Sequence, residues 1–189
     1  TLHFVMAPMW HWPESMMTYD ETDKVLFSAD AFGTFGSLTG NIFNDELEFD
    51  REWLDETRRY YTNIVGKYGM QVQNVLKKAS GLDISVICPL HGPIWRTDLD
   101  YIIGKYDIWS RYEPEEKGVM IAYASMYGNT ENMAEIFAAA RAEAGVKNIR
   151  MPNISKTHGT ELISDRFKYS PTALAVPTYN HGVHTLIDN

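Results

Sequence analysis

The feature that most constrains this chain is the run "VMIAYAS" (119–125), together with the segments after it. An uninterrupted apolar strand of this kind is buried on both faces, as in a parallel sheet, and parallel strands need crossover connections. The chain supplies them. "TENMAEIFAAARAEAG" (130–145) reads as a helix closed by Gly145, "NIRMPNIS" (148–155) as a strand, "GTELISDRF" (159–167) as a short helix and "TALAVP" (172–177) as a third strand. Strand, helix, strand, helix, strand is the opening of a doubly wound α/β sheet.

The residues before it have another pattern. Short apolar runs at 2–8, 24–29 and 84–88 read as strands. "DREWLDETRRYYTNIVGKYG" (50–69) has helical spacing, with Asp50 expected as N-cap and Gly69 as C-cap. A second helix is expected over 70–79, ending at Gly81, and a third over 97–112, capped by Thr97 or Asp98. The polar, proline-bearing "EPEEKG" (113–118) reads as a linker. The expected organisation is a domain at 1–112, the linker, and a second domain at 119–189.

Totals exclude several classes of function. The formal net charge of −8 disfavours nucleic acid and anionic membrane surfaces as partners. No apolar stretch approaches the roughly 18–20 residues of a spanning helix, and the N-terminus lacks the regions of a signal peptide. A cytoplasmic location is expected. The single cysteine, Cys88, excludes an internal disulfide framework, fits a reducing compartment, and reads as a buried core thiol. The chain opens on the strand-like "TLHFVMAPMW" without an initiator methionine and stops at "HTLIDN" without a closing element, so both ends look cut.

Chemistry concentrates in two groups of loops. In "YASMYGNTENMA" (123–134), Ser125, Asn129 and Thr130 offer short polar side chains, and Gly128 permits a tight turn. With Asn129 or Thr130 as cap, the helix would present its first amides to the loop, which makes an anion site. No Gly-Lys-Ser/Thr and no Gly-x-Gly-x-x-Gly occurs, so a phosphate monoester held by neutral hydrogen bonds is the better match. An ordinary capped turn would look similar. A second loop, "VPTYNHG" (176–182), comes after the third strand and so falls at the same carboxyl edge. There Tyr179 could stack on a flat ring, with Thr178 and Asn180 reaching its polar rim. His181 and His184 read as surface residues.

The other group lies in the first half. His11 in "APMWHWPES", Asp30 in "VLFSADAFG" and His91 in "ICPLHGPIW" each come just past a strand, on loops stiffened by proline or glycine. Taken singly, each has a plainer reading, as a packed histidine or a turn-forming aspartate. Taken together, a carboxylate with histidines on either side suits paired metal ions.

These segments closely resemble those of the flavodiiron proteins. "PMWHWPESM", "LFSADAFG" and "ICPLHGPIW" are similar to the later metal-ligand segments of the family's metallo-β-lactamase-like domain. The two loops at 123–134 and 176–182 resemble FMN loops of its flavodoxin-like domain. The implied fold is the C-terminal part of an αββα sandwich followed by the N-terminal part of a flavodoxin-like sheet. The resemblance implies two iron ions, with His11 and His91 as terminal ligands and Asp30 as the bridge. It implies FMN on Ser125, Met126, Tyr127, Gly128, Asn129, Thr130, Pro177, Thr178, Tyr179, Asn180 and Gly182. It implies reduction of dioxygen to water or nitric oxide to nitrous oxide, an electron donor such as rubredoxin or a reduced deazaflavin, and a head-to-tail homodimer. Trp10, Trp12, Phe32, Phe35 and Trp95 could then line a dry gas pocket or a dimer face, although core packing is the better reading for most of them. The family's first ligand segment, His-x-Glu-x-Asp-His, occurs nowhere in this sequence. A flavin carrier without metal and a zinc hydrolase are the competing readings.

Overall fold

The computed structural model describes residues 1–178. The chain divides into two compact units, one covering Thr1–Glu113 and the other beginning at Pro114. Among the described residues no helix is long and apolar enough to cross a membrane.

The first unit carries a four-stranded sheet in the order β1 (Leu2–Met6), β2 (Met16–Asp20), β3 (Val25–Phe27), β4 (Val86–Cys88). The pairs β1–β2 and β2–β3 are antiparallel, and β3–β4 is parallel. Hence β1, β3 and β4 all point the same way. The strand β2 is absent from the sequence expectation, because "MMTYD" carries only weak alternation and lies within hairpin distance of β1. One face of the sheet, with Met17, Leu26 and Ile87, is buried. The other leaves Leu2, Phe4, Met6 and Phe27 more than half exposed.

Helices cover the buried side. α1 (Phe49–Glu52) and α2 (Leu54–Ile64) replace the single helix expected at 50–69, and a 3-10 turn at Gly66–Tyr68 comes next. Asp50 therefore lies inside α1, not at its cap. Gly69 does not end a helix but opens α3 (Gly69–Ala79), at φ −52°. Packing explains why glycine stands there. A Cβ on Gly69 would come within 2.3 Å of the Ser110 carbonyl oxygen at the end of α4 (Leu99–Ser110). The spacing Leu54, Thr57, Arg58, Tyr61 in α2, and Ile102, Tyr106, Trp109 in α4, turns one face of each helix into the core. Asp98 does occupy the N-cap of α4, but in a left-handed conformation and without a side-chain cap bond.

The second unit is a parallel sheet in the order β6 (Ile149–Arg150), β5 (Glu116–Tyr123), β7 (Tyr169–Ala175). This is the order in which a flavodoxin-type sheet begins. β5 starts inside the stretch read as a linker, and β6 is shorter than expected, extended only by an isolated bridge between Tyr123 and Asn153. Val119 and Ile121 pack on Ala134 and Ala138 of α5 (Asn129–Glu143), on one face of the sheet. Met120 and Ala122 face the opposite way, toward Leu162 of α6 (Gly159–Lys168). Helices on both faces account for the uninterrupted apolar run.

Candidate metal and flavin sites

Because β1, β3 and β4 are mutually parallel, the loops that leave their carboxyl ends share one edge of the sheet. His11 sits in the tight turn after β1, where the Met9 amide donates to the Trp12 carbonyl at 2.9 Å. Asp30 comes after β3, in a turn closed by the Ala31 amide on the Ser28 carbonyl and by the Ser28 hydroxyl on the Ala31 carbonyl. His91 comes after β4, and the Leu90 amide donates to the Ala29 carbonyl at 2.9 Å, tying its loop to that of Asp30.

The structure brings these side chains together. His11 Nδ1 lies 3.5 Å from Asp30 Oδ2, and His91 Nε2 lies 3.4 Å from Asp30 Oδ1. Each carboxylate oxygen thus faces a different imidazole. Both separations exceed the usual N–H···O range of roughly 2.7–3.2 Å. They lie at or just beyond the upper end of the spacing of two ligands on one metal, since atoms about 2.1 Å from an ion and 90–110° apart lie roughly 3.0–3.4 Å from each other. Among the described residues no group of three or more His, Cys, Asp or Glu side chains gathers as a metal site. The arrangement is instead two points of two donors each, on either side of one carboxylate. The donor set fits a bridged metal pair, with further ligands required at each point.

Backbone strain marks two of the loops. Met9 and His11 have φ of 67° and 89°, and Ala29 and Phe32 have φ of 53° and 64°. Left-handed non-glycine residues cost free energy and collect where side-chain placement matters. His91 is held by close packing as well. Its Nδ1 donates to the Thr34 carbonyl at 2.9 Å, which leaves Nε2 facing Asp30. A Cβ on Gly33 would stand 2.6 Å from His91 Cε1, and one on Gly92 (φ +85°) would stand 2.7 Å from Thr34 Cγ2.

Tyr60, Thr34 and Gly33 were not foreseen as site residues. Tyr60 comes from α2, with its hydroxyl 3.1 Å from His91 Nε2 and its ring edge-on to the imidazole at 4.7 Å. Burial first, and then the Asp30 carboxylate, push its phenol well above the ordinary tyrosine range. A buried tyrosine needs a partner for its hydroxyl. That is the available signal, but the partner lies on another element, 31 positions on in the sequence. Of the aromatics near the ligands, Trp10, Phe32 and Trp95 are buried, whereas Trp12 is 60% exposed. Cys88, expected in the core, is half-buried at the end of β4, and burial raises its thiol.

In the second unit the loop after β5 and the segment after β7 lie side by side, joined by the Ala124 amide on the Ala175 carbonyl at 3.0 Å. The N-cap of α5 is Gly128, at φ +88°, not Asn129 or Thr130. No side chain caps the helix. The Gly128 amide donates to Ser125 Oγ at 3.0 Å, folding the loop back on itself. The first amides of α5 therefore open toward residues 125–128, the arrangement that accepts a phosphate. A Cβ on Gly128 would meet nothing within 4 Å, so the approach to the loop is open. Met126 and Tyr127 are exposed, at 47% and 87%. Pro177 and Thr178 extend from β7 at the same edge, where a sheet of this order has its switch point. Tyr179, Asn180, His181, Gly182 and His184 lie outside the described residues.

Known proteins match both units. A model described as the ODP family beta lactamase matches residues 1–92, and a flavodoxin model matches 121–187. The chain is 31% identical over 184 residues to an uncharacterised Methanocaldococcus jannaschii protein, covering 97% of this chain and 46% of that protein. It is 34% identical to the anaerobic nitric oxide reductase flavorubredoxin of Aeromonas salmonicida, over 95% of this chain and 34% of the relative. The flavodiiron protein of Giardia intestinalis superposes with a TM-score of 0.92 at 30% identity, over 99% of this chain and 45% of that structure. Rubredoxin oxygen:oxidoreductase of Desulfovibrio gigas superposes with 0.89 at 28% identity, over 99% and 47%. The chain thus spans less than half the length of these relatives. A lactamase-like and a flavodoxin-like half are matched in this order, and flavodiiron structures superpose on nearly the whole length, so the chain is similar throughout to part of a flavodiiron protein.

Proposed function

We propose that this chain carries part of a di-iron site and part of an FMN site of a reductase that takes dioxygen to water or nitric oxide to nitrous oxide. The observation that carries the proposal is the split of Asp30, one oxygen toward His11 and the other toward His91. Bound iron would supply gas binding and reducing electrons there, and FMN on the second unit would supply the electrons in turn. The rest is done by the chain's own residues. His11 and His91 would ligate through Nδ1 and Nε2, the atoms that face Asp30. Thr34 fixes the His91 ring through Nδ1, and Gly33 and Gly92 allow the close packing behind it. Tyr60 keeps its hydroxyl proton at neutral pH and presents it beside His91 Nε2, where reduction of either gas consumes protons. On the second unit, Gly128 and the first turn of α5 would hold the FMN phosphate, with Ser125, Asn129 and Thr130 as polar neighbours. Met126 and Tyr127, with Pro177, Thr178, Tyr179, Asn180 and Gly182, would flank the flavin.

The proposal extends to residues 1–112 and 119–189 as the two domains, a cytoplasmic location, a rubredoxin-type or deazaflavin electron donor, and a head-to-tail homodimer. In such a dimer the flavin of one protomer would face the iron of its partner.

Separable cofactor loss tests the two-site assignment. After anaerobic loading with ferrous iron and FMN, Asp30→Ala is expected to lose iron and keep flavin, and Thr130→Ala to weaken flavin and keep iron. Loss of both cofactors in either variant would refute it. Flavin without iron in the parent would leave a metal-free electron carrier, and zinc retained in place of both would favour the hydrolase.

A further inference from the structure

We infer that an apolar cavity behind the Trp10–Phe32 pair is a holding site for small apolar gas molecules, an inference that rests on the gas-reducing function proposed for the chain. The cavity measures about 300 Å³. Its floor is the buried face of the first sheet, with Met17, Leu26 and Ile87, and its roof is Val75 and Ala79 of α3 and Ile103 of α4. Its polar side chains, Ser80 and Asp100, are exposed and mark the mouth.

Trp10 and Phe32 form the wall nearest the candidate metal site. Their rings meet edge to face at 6.0 Å, and both are buried, at 2% and 3% exposure. Trp10 immediately precedes His11, and Phe32 stands two residues after Asp30, so one wall serves both the cavity and the ligand loops. Phe32 takes its position from its amide, which donates to Tyr106 Oη at 2.9 Å, and its backbone is left-handed at φ +64°.

The wall chemistry selects the guest. The indole N–H of Trp10 is buried and has no hydrogen-bond partner. That nitrogen is closed off from the cavity too, so away from Ser80 and Asp100 the lining offers no side-chain partner to water, which requires roughly two to four, and apolar cavities admit xenon and similar guests. Dioxygen and nitric oxide are small, weakly polar and more soluble in hydrocarbon than in water, so such a space concentrates them. A gas held here is one aromatic layer from His11 and Asp30.

Xenon is the probe, and it requires no iron. Titration of the full chain by xenon NMR is expected to give a saturable signal, lost in Ala79→Phe, which fills the space. Leu26→Ala enlarges the cavity and is expected to raise occupancy, so the inference stays testable if the first variant fails to fold. Under dioxygen pressure, paramagnetic broadening is expected to concentrate on the methyl groups of Val75, Ile87 and Ile103. Absence of saturable xenon binding, or equal binding in Ala79→Phe, would overturn the inference. So would a fatty-acyl or other bulky apolar molecule extracted from the purified protein in stoichiometric amount. Retention of iron by Asp30→Ala would sink the metal assignment while leaving xenon binding intact, so the two failures are distinguishable.

Discussion

Replacing Gly33 by alanine is the sharpest test of how His91 is held. The added methyl would stand 2.6 Å from His91 Cε1, 2.8 Å from His91 Nδ1 and 2.9 Å from the Asp30 carbonyl oxygen. Ordinary contact begins at 3.4 Å, so the neighbours must retreat by 3.4 − 2.6 = 0.8 Å on the imidazole side. Gly33 has no left-handed φ, so the cost is steric and not dihedral. The Asp30 carbonyl is backbone, and the imidazole is the part free to move. Moving it breaks the 2.9 Å bond from Nδ1 to the Thr34 carbonyl. Overpacking costs about 1–3 kcal/mol and the lost hydrogen bond about 1 kcal/mol, giving about 2–4 kcal/mol together. All five tryptophans fall within the first unit, so their fluorescence during denaturant unfolding reports on that unit. Gly104→Ala is the matched control: it lies inside α4 with no heavy atom within 4 Å of its added Cβ, and a gain of about 0.4–1 kcal/mol is expected. Gly33→Ala is also expected to weaken ferrous ion binding by about 10–100-fold, as loss of a ligand's supporting contact does. An unfolding midpoint within about 0.5 kcal/mol of the parent, together with unchanged iron affinity, would refute the packing argument.

Two other perturbations reach different parts of the molecule. In Gly118→Ala the new methyl would stand 2.7 Å from the Asn148 carbonyl oxygen and 2.7 Å from Tyr169 Cδ1, so the second unit should lose about 1–3 kcal/mol. Circular dichroism should show the loss while tryptophan fluorescence does not; a shifted fluorescence midpoint would contradict the division into units. Burial raises the phenols of Tyr60, Tyr61 and Tyr106 above the ordinary value of 10.0. With the folded pKa above the unfolded one, the neutral phenol is favoured by folding, and this stability is fully present below pH about 10 and lost as pH rises beyond it. Unfolding midpoints should therefore be flat to about pH 9 and fall above 10, and Tyr60→Phe should soften the fall; a flat profile through pH 11 would show that these phenols are not buried.

The range of each interaction decided whether it could be read from the sequence. Apolar runs and helical spacing are local, so β5, α5, α6 and α4 were legible from their own residues. Boundaries set by partners were not. Gly69 looked like a helix end, and only the Ser110 carbonyl, forty-one positions on in the sequence, makes it a helix start. Gly128 displaced Asn129 and Thr130 as the cap of α5 because Ser125 Oγ takes the Gly128 amide and pulls the loop into a left-handed turn. Tyr60 was hidden for the same reason: its role depends on His91, which lies on another element.

The ligand candidates were legible because they occupy positions that parallel strands make special. In the first unit β1, β3 and β4 run the same way, although β1 reaches β3 only through the antiparallel β2. In the second unit β5 and β7 are directly parallel. Each arrangement sends several chain ends out of one edge, where main-chain bonds such as Ala124 to Ala175 and Ser28 to Cys88 tie neighbouring loops together, and short loops there can point side chains at a common centre. Such loops must turn sharply, which is why glycine, proline and left-handed residues accumulate beside His11, Asp30, His91 and Gly128. A histidine between prolines just past an apolar run is therefore informative before any contact is known. Its position at the edge comes from the strand, its stiffness from its neighbours, and the imidazole is left free to meet a partner from the next loop. The 3.4 Å approach of His91 Nε2 to Asp30 is the outcome of that geometry, and not of any attraction readable between residues 61 positions apart in sequence.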